Sequence, residues 1–239
     1  MKKILFLFLY LGDDTATQDE ISFRTAHALT EIQYLTNLDN LHNTFDKKYL
    51  IAVAPEQCDQ FVEYVCDEYS LELYDGIIQR DNTYEYPAFM AMSKESQTVA
   101  DAAFFYAHCK GTGRPTPVAY GIFKLHTSIL LDTDVDKVFE DDTINTIGLF
   151  PSQHGALWHN FFWVKSNYFK NKPILKWENR YEFEHAVDDR SDPEHYKTSY
   201  SPLRYLDHGT DFKILDWYSS DDIDMQTTFY DLFHLSPEL

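Results

Sequence analysis

Two polar loops in the middle of the sequence carry residue types that bind phosphate or metal. The first loop, HCKGTGRP, follows the apolar run AAFFYA and contains His108, Lys110, Gly111 and Arg114. Glycines allow a backbone to approach a diphosphate closely, lysine and arginine match its charge, and imidazole hydrogen-bonds phosphate or sugar hydroxyls. The loop therefore predicts a diphosphate site. An ordinary strand-to-loop turn with a solvent-exposed lysine fits the same pattern.

The second loop, in LLDTDV, contains Asp132 and Asp134. Two carboxylates at the end of a strand can hold Mg²⁺ or Mn²⁺, which would bridge the two phosphates of a nucleotide donor. If the preceding run is a helix, however, the same aspartates are a helix end and an N-cap for the next helix, VDKVFE. We favour the capping interpretation and keep the metal site as the alternative.

The segment WHNFFWVKSNYF is rich in aromatic residues. Aromatic faces stack on sugar rings, and His159 and Asn160 can hydrogen-bond hydroxyls, so we take His159, Asn160 and Trp163 as acceptor-binding candidates. The alternation of a strand places Phe161 and Trp163 on one face and Phe162 on the other, and at least one face must be core.

The elements that position these loops alternate along the first 110 residues as βαβαβαβ, which predicts a mostly parallel sheet with helices on both faces. In open sheets of this kind, ligands bind beyond the carboxyl ends of the strands, where the loop with His108 lies. The next run, 117–131, suits a helix better than a strand because its apolar residues are spaced three and four apart. Downstream we predict a short capped helix, two strands and a helix.

We expect a single domain over residues 1–239. It comprises a nucleotide-binding half (1–115), an acceptor and catalytic half (116–190) and an acidic tail (191–239) that wraps the domain. The apolar run Ile4–Leu11 follows two lysines but is short for a signal peptide and lacks a small-x-small cleavage site, so we expect a buried first strand. Nothing in the sequence is long enough to span a membrane.

The net charge of −19 argues against binding to nucleic acid along the whole surface. The charge is uneven, since residues 105–180 carry nine Lys/Arg and seven Asp/Glu, whereas the rest of the chain carries a net −21. An anionic ligand is therefore repelled least by the middle of the chain. Three cysteines without metal-binding spacing favour a reducing compartment, and we expect the cytoplasm.

The order Y-x-H-x-K-G, then IG, then H-N-F-F-W-x-K-x-x-Y, then N-R-Y-x-x-E resembles a group of small GT-A-type glycosyltransferases. That group carries an HTKG-like loop and a GNFWW-like strand. The resemblance covers roughly residues 82–188 and implies a GT-A-like fold in which His108, Lys110 and Gly111 border the donor pocket. Cys109 stands here in place of the usual threonine, and His159 in place of the usual glycine.

The resemblance implies a transferase that moves a sugar from a nucleotide-sugar donor to an acceptor hydroxyl, with Mn²⁺ or Mg²⁺ as candidate cofactors. Inverting transfer needs a carboxylate to take the proton of the attacking hydroxyl. By resemblance Glu184 is that base, with Glu182 as its rival. A solvated helix face with an Arg180–Glu184 ion pair fits the same residues. The other functions that we consider are a metal-dependent phosphate or nucleotide hydrolase using Asp132 and Asp134, and a non-catalytic carbohydrate-binding module.

Overall fold

One seven-stranded sheet, ordered β3-β2-β1-β4-β6-β5-β7, forms the centre of the protein. The computed structural model describes residues 1–109, 117–149, 157, 160–170, 172, 174 and 199–202. The strands are β1 (Lys2–Tyr10), β2 (Lys47–Val53), β3 (Glu72–Gln79), β4 (Ala102–His108), β5 (Thr146–Gly148), β6 (Phe162–Lys165) and β7 (Ser199–Tyr200). β6 is antiparallel to both of its neighbours, and the other strands share one direction. The predicted α/β fold with a mostly parallel sheet is confirmed.

Helices cover both faces of this sheet. One face carries α1 (Gln18–His42), α2 (Asp59–Tyr69), α4 (Pro117–Asp132) and α5 (Val135–Phe139). The other carries α3 (Tyr86–Thr98) and α6 (Ser166–Phe169). A 3₁₀ turn, Glu56–Cys58, leads into α2. Each helix layer buries one apolar core against the sheet, so the strands between them are apolar on both sides.

The sequence of β1 is continuously apolar because both faces of the strand are buried. Leu5, Leu7 and Leu9 belong to the core under α1, whereas Ile4 and Phe6 belong to the core under α3. β1 is also paired on both edges, with β2 and with β4. The prediction of a buried first strand is confirmed. In the part of the chain that the structure describes, no helix has the length and apolar character needed to cross a membrane.

Residues 117–131, for which the sequence favoured a helix over a strand, lie in α4. Phe123, Leu125 and Leu130 on this helix are buried against the sheet, and the Thr127 hydroxyl donates to the Phe123 carbonyl at 2.7 Å. The preference for a helix, based on three- and four-residue spacing, is confirmed. Within the acidic tail, Ser199–Tyr200 forms the edge strand β7 on β5.

Candidate functional site

The sheet has a topological switch point between β1 and β4. From β1 the chain proceeds outward to β2 and β3, and it then returns to the other side of β1 to form β4. The two strands are parallel neighbours, and Phe8 is in register with His108. A crevice opens beyond the carboxyl ends of parallel strands at such a reversal, and ligands of α/β proteins bind there. His108 lies at this point.

His108 is held by groups from three directions. Its Nδ1 lies 3.6 Å from Glu85 Oε1, and both side chains keep only about one seventh of their surface exposed, at 13% and 14%. The imidazole lies nearly parallel to the Tyr106 ring, with centroids 6.1 Å apart. It also contacts Phe161, with ring centroids 5.0 Å apart. The ring is therefore restricted in orientation and is paired with a carboxylate.

Asn160 lies at the same edge of the sheet, just before β6. β6 runs antiparallel to β4 with Phe162 opposite Tyr106, so the residues before β6 lie beside the carboxyl end of β4. Asn160 is 2% exposed, and its φ of +53° is in the left-handed region. Its buried Oδ1 has no hydrogen-bond partner among the described residues. Strained, buried polar groups of this kind concentrate at binding sites.

Trp163 does not belong to this edge. Its side chain is fully buried, its indole Nε1 donates to the Leu130 carbonyl at 2.9 Å, and its ring packs on Phe105 and Phe45. A ring without exposed surface cannot stack on a sugar. The prediction of Trp163 as an acceptor-binding residue is wrong, and Trp163 is a core residue. The predicted alternation of β6 is confirmed, because Trp163 and Phe162 face opposite cores.

The loop after β1 adds a cation and an aromatic ring to the carboxyl edge. The Arg24 guanidinium lies 5.5 Å from the centroid of the Tyr10 ring, and its Nη1 donates to the Leu11 carbonyl at 3.3 Å. Asn82, which follows β3, donates from Nδ2 to Tyr10 Oη at 3.2 Å. Gly12 turns the chain with a φ of +119°, and a Cβ there would come within 2.5 Å of Arg24 Nη1. This close approach requires glycine.

A second cation near this edge, Arg80, is already engaged. Its two terminal nitrogens lie 2.8 and 2.9 Å from the carboxylate oxygens of Asp59, and Nη1 also donates to the Ala54 carbonyl at 2.9 Å. The hydrogen bonds from this guanidinium to Asp59 raise the pKa of Arg80. This bidentate pair ties the end of β3 to α2.

The two aspartates of LLDTDV lie at the opposite end of the sheet. Asp136, just beyond them, forms an ion pair of 2.9 Å with Lys3, which stands at the amino end of β1. His108 is in register with Phe8, which is five residues further along β1, so roughly 16 Å of strand separates the two ends. A groove of about 610 Å³ lies beside Asp132 and Asp134, but at this amino end.

The structure assigns these aspartates to helix ends. Asp132 is the last residue of α4, and Asp134 is the N-cap of α5, accepting the Lys137 N–H at 3.2 Å. One carboxylate oxygen of Asp134 is used in this cap, and the described residues contain no group of three or more metal-ligating side chains. The capping interpretation of Asp134 is confirmed, and the Asp132–Asp134 metal site stays a prediction.

The remaining predicted site residues lie outside the described residues. They are Lys110, Gly111, Arg114, His159, Glu182 and Glu184. The structure therefore brings together His108 and Asn160 from the predicted set. It adds Glu85, Arg24 and Tyr10, which sequence reasoning missed. The sequence could have indicated these three residues only by their positions, at the carboxyl end of a strand or in the segment that follows one.

No protein-family model and no curated protein sequence matches this chain. Among solved structures, the chain is similar to a cytidylyltransferase from Leptospira borgpetersenii serovar Hardjo-bovis, with a TM-score of 0.45 and 11% sequence identity. That alignment covers 100% of this chain and 98% of the other. A similarity at this level assigns neither a fold nor an activity to this chain.

Proposed function

We propose that this protein is a GT-A-like glycosyltransferase that moves a sugar from a nucleotide-sugar donor to an acceptor hydroxyl. The observation that carries the proposal is the position of His108 at the β1–β4 switch point, the place where α/β sheets bind nucleotides. The loop that begins there continues with Lys110 and Gly111, residue types suited to a diphosphate.

In this proposal the loop after β4 stabilises the leaving diphosphate. Lys110 and Arg114 supply positive charge, and the backbone around Gly111 approaches the phosphates closely. These contacts accelerate transfer only if they strengthen as the anomeric carbon–oxygen bond breaks and negative charge develops on the diphosphate. The charge distribution favours such a role, because residues 105–180 carry a net charge of +2 whereas the rest of the chain carries −21.

The nucleoside end of the donor is placed along the loop after β1. Tyr10 offers an aromatic ring there, Arg24 lies over that ring, and Asn82 fixes its hydroxyl. An aromatic side chain beside a cation suits a base and its attached phosphates. The donor then extends from Tyr10 across the switch point to His108.

The acceptor side is placed at the start of β6. Asn160 and the adjacent His159 are the two acceptor-binding candidates. Because Asn160 Oδ1 is buried, a sugar hydroxyl reaches it only when the side chains that cover it move aside. Glu184 takes the proton of the attacking hydroxyl, with Glu182 as its rival, and attack opposite the leaving group inverts the anomeric centre.

The proposal is tested by product formation. Purified protein is incubated with a panel of nucleotide sugars and simple glycans, and transfer is followed by mass spectrometry of the acceptor. Lys110→Ala should lower turnover at least a hundredfold, as expected for the loss of a transition-state contact. Lys2→Ala, the same charge change at an exposed site at the amino end of β1, should leave turnover unchanged.

The outcomes separate the competing functions. Release of sugar or phosphate that does not depend on an acceptor would indicate a hydrolase. Saturable sugar binding without turnover, and without any effect of Glu184→Gln, would indicate a binding module. Full activity of Lys110→Ala would remove Lys110 from the mechanism.

A further inference from the structure

Glu85 faces His108 because helix α3 fixes it in place. Glu85 is the N-cap of α3, and its carbonyl accepts the N–H groups of Ala88 at 3.0 Å and Phe89 at 3.2 Å. Phe89 in turn packs on Tyr106, with ring centroids 4.9 Å apart. The packing of α3 on β4 therefore holds the Glu85 carboxylate 3.6 Å from His108 Nδ1.

The two titratable neighbours of His108 on β4 are neutral near neutral pH. On β4 itself, burial raises the pKa of both Tyr106 and Cys109 well above their usual ranges. Phe161, just before β6, contacts both this imidazole and that of His126 on α4. The buried carboxylate of Glu31 on α1 lies beside Cys109, the residue after His108. Glu85 is the carboxylate at ion-pair distance from His108 itself, and a carboxylate at that distance favours the protonated imidazole.

Because Glu85 faces Nδ1 of His108, the atom left to meet a ligand is Nε2, which is a hydrogen-bond donor or an acceptor depending on the charge of the ring. With Nδ1 facing a carboxylate, the Nδ1 proton is retained in either charge state. A neutral ring then carries a lone pair on Nε2 and repels a phosphate oxygen, whereas an imidazolium donates an N–H from Nε2. Only the charged form can bind an anion through this atom.

We propose that Glu85 is a positioning residue that keeps His108 oriented and protonated, so that His108 Nε2–H donates to an anionic group bound at the β1–β4 switch point. The identification of that group as the diphosphate of a nucleotide sugar rests on the proposed function. The pairing of Glu85 with His108 does not.

The pairing is tested without any ligand, by NMR of protein with ¹⁵N-labelled histidine. The His108 signals are those lost in His108→Gln, and they are followed from about pH 5 to about pH 9. We expect a wild-type midpoint above the unperturbed value of about 6.5, and a midpoint lower by about one unit in Glu85→Gln. Glu140→Gln, the same charge change at an exposed site on the far end of the sheet, should not move it.

A wild-type midpoint below about 6.5 would overturn the proposal even if Glu85→Gln failed to fold. Equal midpoints in wild type and a folded Glu85→Gln would also overturn it. Glu85→Asp provides a second variant, in which retention of the carboxylate should restore part of the shift.

The ligand arm uses a nucleotide sugar, because its doubly esterified diphosphate does not titrate near neutral pH. Its affinity should fall as the pH rises through the His108 midpoint, and Glu85→Gln should move that fall to lower pH by the same amount. Binding that is independent of pH would overturn the inference and leave the proposed function standing. If no nucleotide sugar binds, the proposed function fails, and the imidazole titration still decides the pairing.

Discussion

Substitutions at Asp134 can distinguish a helix cap from a metal ligand, because the two roles predict different effects on thermal stability. Its carboxylate accepts the Lys137 N–H at 3.2 Å at the exposed start of the five-residue helix α5. Loss of an N-cap costs about 0.5–2 kcal/mol. The long bond and the exposed position put this cap near the lower end, at about 0.5–1 kcal/mol. In a chain of this size that lowers Tm by about 1–4 °C.

The series is Asp134→Ala, Asp134→Asn and Asp134→Ser, measured by thermal unfolding with and without Mn²⁺ or Mg²⁺. Asparagine and serine cap helices about as well as aspartate, so only the alanine variant should lose stability. The ions should leave every Tm unchanged, because an ion stabilises a protein only by binding its folded state. A metal-dependent rise in wild-type Tm that disappears in both Asp134→Asn and Asp132→Asn would refute the capping account.

Trp163→Phe should lower the free energy of unfolding by about 1–3 kcal/mol, because the buried Leu130 carbonyl loses its hydrogen-bond donor. Urea denaturation measures this loss. The affinity for the nucleotide sugar should not change. Weaker binding of the nucleotide sugar at unchanged stability would indicate that Trp163 does contribute to the binding site. Gly12→Ala should cost about 1–3 kcal/mol from the strained backbone and the clash with Arg24, and it should weaken donor binding, since Arg24 must move. Unaltered binding at lower stability would exclude Arg24 from the donor site. Hydrogen bonds from Lys3 and the amino terminus lower the pKa of Asp136, so its contribution to stability is present above the unfolded-state pKa and is lost as the pH falls through the folded-state pKa. Asp136→Asn should therefore lower Tm at neutral pH but not in strong acid, unlike the exposed control Asp142→Asn; a deficit that persists in acid would contradict the ion pair.

The helices and strands were predictable because burial determines the local pattern of apolar residues in the sequence. Ile4–Leu11 is apolar without alternation because β1 is covered on both faces. α4 was distinguishable from a strand because its core residues recur at helical spacing. The carboxyl-end position of His108 followed from the same alternation, since only the direction of the strands was needed.

The partners at the site were not predictable, because periodicity reports which side of an element is buried and not what lies opposite. Glu85 meets His108 only through the packing of α3 on β4, and Arg80 meets Asp59 only where β3 ends beside α2. Trp163 was misassigned for a related reason. The same aromatic residues build cores and sugar platforms, and only three-dimensional burial separates the two uses.

The central claim is that ligand binds at the β1–β4 switch point. Backbone amide chemical shifts of ¹⁵N-labelled protein, recorded during titration with the nucleotide sugar that gives the largest effect, test it most directly. We expect the amides of His108, Cys109 and Asn160 to shift, whereas those of Asp134 and Lys137 at the opposite end stay unchanged. Shifts concentrated at Asp134 and Lys137, with Cys109 and Asn160 unmoved, would contradict it.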